Sequence, residues 1–153
     1  MRTGLAQQDA RDDFDRARRR ATCAKLAGLL RGRPPSRNRL PVLGEVVIAG
    51  GAGTATEAMV PIDQIVGTVE PTRCFDRRFR PTSELPRSRF ERVAAEVLSG
   101  RGMDPVELYQ CGDSYHVLDG HHRIAVARAL RQQSIWATIT PVRLNQPSSP
   151  TAG

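Results

Sequence analysis

The sequence predicts an α+β protein, and three observations carry that prediction. Apolar residues recur at helical spacing over a long N-terminal run, short strand-like runs with an amphipathic helix among them begin at Met59, and a strand meets a helix at a glycine, Leu118-Asp119-Gly120-His121. From about Asp9 to Arg31, Phe14, Ala17, Ala21 and Ala24, with the group Leu26, Leu29 and Leu30, fall near a 3.6-residue period and predict one helix. Gly32, Pro34 and Pro35 end it. Asp12, Asp13 and Asp15 near its expected start and Lys25 and Arg31 near its end match the sign of the helix dipole. After a short apolar segment around Val42 to Ile48, Ala49-Gly50-Gly51-Ala52-Gly53-Thr54 reads as a flexible connector. No Gly-Lys-Ser/Thr follows it, so it is not a Walker loop.

Met59 to Ile62 predicts a strand, and Asp63 is placed to cap the single turn that carries Gln64 and Ile65 before Gly67. A polar, arginine-rich loop spans Glu70 to Pro86. Pro86 suits the first turn of a helix whose apolar face is Phe90, Val93, Ala94, Val97 and Leu98, ended by Gly100 and Gly102 and suited to packing on a sheet. Val106–Gln110 and Tyr115–Leu118 flank the turn Cys111-Gly112-Asp113-Ser114 and read as an antiparallel pair. Ile124, Ala125, Ala127, Arg128 and Leu130 fall on a helix after Gly120, Ile135–Thr140 is a β-branched strand, and Pro141 onward reads as a frayed tail. The expected organisation is a basic N-terminal helical arm with its Gly-rich linker over residues 1–57, a folded core over 58–141 and a disordered tail over 142–153.

A length of 153 residues with 39% hydrophobic content supports one domain with a real core. No apolar run reaches the roughly 20 residues that span a bilayer, and none resembles the core of a secretory signal, so the expected setting is cytoplasmic with no membrane partner. Cys23, Cys74 and Cys111 are widely spaced, with no CxxC pair and no histidine at zinc-ligand spacing, which predicts reduced, structural cysteines and no metal centre. The net charge of +7 is localised: residues 1–40 carry 11 Lys+Arg against 4 Asp+Glu, while residues 41–153 carry 12 of each. Attraction to nucleic acid or to an acidic protein would therefore belong to residues 1–40, where Arg16, Arg18, Arg19 and Arg20 lie, although a solvated helix face accounts for the same charges. The apolar stripe of this arm has either the core or a second copy of the chain to pack on, which leaves a homodimer open.

The chemistry concentrates in Val117-Leu118-Asp119-Gly120-His121-His122-Arg123. A glycine between strand and helix lets the backbone turn sharply, and the free amides of the first helical turn, backed by the helix dipole, make an anion site. Arg123 adds a guanidinium for phosphate oxygens, and His121 and His122 add hydrogen bonds or a proton near neutral pH. Asp119 is placed to accept a proton or hold a divalent ion. Plainer roles exist for each: Asp119 as a helix cap, His122 as a core residue, Arg123 as a bridge to Asp104, Glu107 or Asp119. His116, His121 and His122 are poorly spaced for zinc, since adjacent histidines do not readily share one tetrahedral ion.

At these residues the sequence resembles the ParB/sulfiredoxin superfamily. The resemblance covers about Val60 to Thr140 and rests on Asp119-Gly120-His121-His122-Arg123, on Val60-Pro61-Ile62-Asp63-Gln64-Ile65 and on Met103-Asp104-Pro105-Val106-Glu107-Leu108, while Phe75-Asp76-Arg77-Arg78-Phe79-Arg80-Pro81 resembles a stand-alone ParB-like branch. It implies a small mixed sheet with flanking helices, here preceded by the basic N-terminal helix. It also implies a nucleotide (ATP, ADP or CTP) with Mg²⁺, bound by Gly120, His121, His122 and Arg123. Arg77, Arg78 and Arg80 have two roles open to them, folding over the phosphates from the loop side or serving as surface charges. Sulfiredoxins carry a catalytic cysteine where this chain has His121, and ParB partition proteins carry a Gly-Glu-Arg-Arg type motif that matches only at Gly120 and Arg123 and is followed by a helix-turn-helix domain. Free-serine kinases of this fold have a motif similar to the whole of Asp119–Arg123. That similarity implies catalytic roles for Asp119 and His121 and an assisting acid after the first strand, for which Glu70 is the local candidate, with an exposed loop glutamate as its plainer role. The resulting expectation is a ParB-like nucleotide-binding protein, DNA-associated through its arm, with a small phosphotransferase as the alternative and catalysis left open.

Overall fold

In the computed structural model, which describes residues 2–33, 35–49 and 54–145, the chain runs α1 (Arg2–Leu30), β1 (Val46–Ile48), β2 (Thr56–Pro61), β3 (Ile65–Thr68), α2 (Arg87–Leu98), β4 (Val106–Cys111), β5 (Ser114–Asp119), α3 (His121–Ala129) and β6 (Ser134–Leu144). The six strands form one mixed sheet in the order β1-β6-β4-β5-β3, with β2 also on β6, and three helices flank it, one of them N-terminal. The fold is α+β, as the alternating pattern predicts. The β4–β5 pair is antiparallel and closes through Gly112-Asp113, where Gly112 takes a positive φ of 62°. β4 runs parallel to β6 and β3 parallel to β5.

Pro141 does not end the last strand. β6 continues to Leu144, and Val142, Arg143 and Leu144 pair with Ile48, Val47 and Val46. A proline lacks the N–H that a ladder needs, which is why it reads as a terminator. Here it falls between two antiparallel partners, because β2 pairs with β6 only up to Ile139 and β1 begins at Val142, while the Pro141 carbonyl still accepts from Ala49 N at 3.0 Å. Residues 142–144 of the expected tail are thus strand; residues 146–153 and the glycine run 50–53 of the expected linker lie outside the described residues.

α1 begins at Arg2, not near Asp9, so Asp12, Asp13 and Asp15 sit in the middle of the helix and do not serve its dipole. Asp13 instead pairs with Arg16 at 3.0 Å and Asp15 with Arg87 of α2. The buried stripe is Ala6, Ala10, Phe14, Ala17 and Ala21, small residues that let α1 lie close on α2, where Phe14 meets Phe90 edge-on with ring centroids 5.3 Å apart. Leu26, Leu29 and Leu30 of the expected stripe are exposed. Arg87 places its guanidinium 4.2 Å from the centre of the Phe14 ring and pairs with Asp15, Glu84 and Glu91, which raises its pKa further above the ordinary arginine value. The single turn at Ile62–Gln64 has no side-chain cap, so Asp63 does not play that part.

Among the described residues two polar side chains are fully enclosed, and both organise the loops beside the site. Thr68 at the end of β3 and Asp76 in the arginine-rich loop are each at most 1% exposed. Asp76 accepts from the amides of Arg78 (2.9 Å) and Arg80 (3.0 Å) with one oxygen and from Arg80 Nε (2.8 Å) with the other, so the buried carboxylate folds its own loop.

Candidate functional site

Asp119 is the last residue of β5, and Gly120 turns the chain into α3. Gly120 has φ +113°, a conformation that side chains rarely adopt, and a Cβ there would lie 2.7 Å from Val106 Cγ1. The first intrahelical bond of α3 runs from Ile124 N to Gly120 O at 3.0 Å, which leaves the amides of His121, His122 and Arg123 ahead of the ladder. They open on a cleft of about 570 Å³ lined by Asp119 to Arg123, by Met103 and Asp104, and by the α2 residues Arg89, Arg92, Val93 and Glu96.

Arg123 is a clamp. Its Nη1 donates to the carbonyls of Pro105 (2.7 Å) and Asp104 (3.2 Å), and its Nη2 to Asp119 Oδ2 (3.1 Å). The bridge foreseen as the plainer role is therefore formed, with Asp119 as the carboxylate partner, and it holds the loop before β4 against the corner. Asp119 does not cap α3, since the helix has no side-chain cap and its N-cap position is Gly120. Its carboxylate is 68% exposed and keeps Oδ1 open to the cleft.

Both histidines are held towards the neutral form. Burial lowers the His121 pKa against the opposing pull of Asp119 and Glu70, and burial with the nearby Arg89, His121 and Arg92 pushes His122 down to about 4. His121 Nε2 lies 2.8 Å from Thr68 Oγ1, and that hydroxyl lies 2.7 Å from the Glu70 carbonyl. With the Thr68 proton given to Glu70 O, His121 donates from Nε2, which assigns the tautomer and leaves Nδ1 as an acceptor. The ring is stacked on Phe75 at 6.3 Å, and His122 meets the same phenylalanine edge-on at 5.3 Å. Both imidazoles are thereby fixed in place.

Of the residues singled out in the sequence, Asp119, Gly120, His121, His122 and Arg123 converge on this cleft. Glu70 follows β3, lies near enough for its charge to act on His121, and meets the histidine's partner Thr68 through its carbonyl. Arg80 does not line the cleft: it is tied to Asp76 and lies with Arg77 and Arg78 on a separate groove beside the end of α1. No protein-family model and no curated protein sequence matches the chain.

The residues that sequence reasoning missed are Arg89, Arg92 and Thr68. Arg89 and Arg92 form no ion pair among the described residues, yet they face the α3 corner from α2. Their spacing of three places them on one helix face, but only the docking of α2 beside α3 shows which face that is. Among the described residues no group of three or more His, Cys, Asp or Glu side chains is disposed to hold a metal ion, and no helix is long and apolar enough to cross a membrane.

Proposed function

We propose that this chain is a ParB-like phosphate-binding module that takes a nucleotide at the cleft between α2 and α3. The observation that carries the reading is the convergence of two independent cationic features: the free amides of His121, His122 and Arg123 at the α3 N-terminus, and the unpaired guanidinium groups of Arg89 and Arg92 across the cleft. A nucleotide's phosphates would sit on the amides with the arginines closing over them. Mg²⁺ would arrive on those phosphates, with Asp119 the one carboxylate of the motif open to meet it. His121, bonded to Thr68, and His122 both pack on Phe75, are held towards the neutral form and position the backbone.

Isothermal titration with ATP, ADP and CTP in Mg²⁺ tests the reading. At least one nucleotide is expected to bind, and Arg89→Ala/Arg92→Ala is expected to weaken it by about tenfold or more, since each charge-assisted contact contributes about 1.5–3 kcal/mol. These two arginines make better probes than Arg123, whose removal would also free the Asp104–Pro105 loop. A folded protein that binds none of the three, or a double variant that binds unchanged, overturns it.

The phosphotransferase reading rests on one feature, the open and exposed Oδ1 of Asp119 at the lip of the cleft, where a carboxylate would orient or deprotonate an acceptor hydroxyl. It requires nucleotide turnover that Asp119→Asn abolishes while leaving binding within about threefold, a limit equivalent to roughly 0.7 kcal/mol.

A further inference from the structure

The basic residues of the N-terminal helix and those of the arginine-rich loop, far apart in sequence, share one groove. Lys25, Arg31 and Arg33 from the end of α1, with Arg37 from the turn that follows, form one wall of a groove of about 680 Å³. Arg77, Arg78 and Arg80 form the other. A second groove of about 510 Å³ shares Lys25 and Asn38 with the first and adds Arg39 and Arg73, together with the hydroxyls of Thr22, Thr82 and Ser83. The two grooves adjoin at Lys25 and Asn38 to form a basic track. Among the described residues no Asp or Glu lines either groove, and of these basic side chains only Arg80 has an ion-pair partner, the buried Asp76 behind it.

We propose that this track binds the phosphodiester backbone of a nucleic-acid strand. Eight cationic side chains with no ion-pair partner among the described residues, and Arg80 beside them, attract a polyanion strongly, and a single phosphate or nucleotide would use only a few of them. The stretch of α1 from Ala21 to Leu30 runs along the track for about 14 Å at the helical rise, which matches about four successive phosphates at the roughly 3.4 Å axial rise of a stacked strand. Asn38 and the Ser83 hydroxyl supply further donors to phosphate oxygens, whereas Thr22 and Thr82 donate to the carbonyls of Arg18 and Arg73. Among the described residues the one aromatic that lines the track, Phe75, is buried and offers no exposed ring on which bases stack. It reads backbone and not sequence. The site is thus neither the arm alone nor the α2–α3 cleft, and it stands whether or not a nucleotide binds at that cleft.

The test is fluorescence anisotropy with a labelled 20-residue oligo-dT across a salt series, with a poly-glutamate peptide of similar length as a second probe. For about four phosphate contacts on a single strand the slope of log K against log[salt] is expected near −3, at about 0.7 per contact. Arg31→Glu/Arg33→Glu is expected to weaken binding about tenfold or more and to reduce the slope by about one, and Arg77→Glu/Arg78→Glu, on the opposite wall, to do the same. Arg19→Glu/Arg20→Glu makes the same charge change on α1 but lines neither groove, and is expected to cost less than about threefold. Circular dichroism confirms that each variant is folded. Equal losses from the Arg19/Arg20 and Arg31/Arg33 pairs overturn the groove, leaving only the charge of the arm. Failure of the folded wild type to bind the oligonucleotide, with or without capture of poly-glutamate, overturns the proposal, and capture of the peptide alone assigns the track to an acidic protein.

Discussion

Gly120 is where sequence, backbone and chemistry meet in one residue. Its positive φ and its closeness to Val106 leave no room for a side chain, so Gly120→Ala meets both a backbone penalty of about 1–3 kcal/mol and overpacking of similar size. A loss of about 2–4 kcal/mol in urea unfolding is expected, together with loss of any ligand at the α3 corner. His122 supports a pH prediction. Its pKa falls from an ordinary 6.5 to about 4 on folding, so the unfolded chain binds more protons between those values. The stabilising contribution is complete above about pH 6.5 and is lost as the pH falls towards 4. After allowance for partial exposure the change is about 1–2 kcal/mol, and His122→Gln should lose correspondingly less stability than wild type between pH 7 and pH 4.5. The corner was legible in the sequence because glycine between a strand and a helix has a backbone meaning that no neighbour can change. The charge state of the histidines was not, because Phe75 and the arginines of α2 that set it come from elsewhere in the chain.

α1 is a member of the core, although its composition reads as a solvated basic arm. Phe14 is fully enclosed against Phe90, and its alanines line the interface with α2. Phe14→Ala should cost about 3–5 kcal/mol in urea unfolding, the loss expected of a buried aromatic and not of a residue on a free arm. Deleting residues 1–40 would therefore strip the cover from Phe90 and also remove the buried Leu40, so surface charge reversals test the arm more cleanly. The helix and the Phe14, Ala17 and Ala21 part of its inner face were readable; its start, with the buried Ala6 and Ala10, was not. Leucines attract attention at helical spacing, yet here the chain buries alanines, because close approach between helices rewards small residues and leaves Leu26, Leu29 and Leu30 outside. β6 follows the same lesson: Pro141 reads as a stop, and only the change of partner from β2 to β1 makes it harmless.

Across the whole molecule, charge is divided between two anion-attracting surfaces of different character. The α2–α3 cleft balances Arg89, Arg92 and Arg123 against Glu96, Asp104 and Asp119, whereas the track beside α1 has no acidic lining at all. Nucleotide affinity and oligonucleotide affinity should therefore separate under salt. Raising NaCl from 50 to 200 mM is expected to reduce oligo-dT binding by about fiftyfold or more and nucleotide binding by less than about tenfold, since screening acts hardest on the surface with the larger uncompensated charge. A common salt dependence would mean that one surface serves both ligands. The charge of residues 1–40 was plain in the sequence. Its completion by Arg73, Arg77, Arg78 and Arg80 was not, because the buried Asp76 folds that loop towards α1 through contacts that leave no periodic trace.

The position of β6 bears on how the chain is made. It is the last of the described strands to leave the ribosome, and β1, β2 and β4 all take it as a neighbour. During synthesis those three strands emerge with their intended partner still missing, and the sheet closes only when Ser134–Leu144 threads in beside them. Long-range pairing of this kind slows folding and leaves strand edges open to other chains in the meantime. A nascent chain stalled before Ser134 is thus a natural client for chaperones, and any fragment that stops short of β6 will aggregate more readily than its composition alone would indicate.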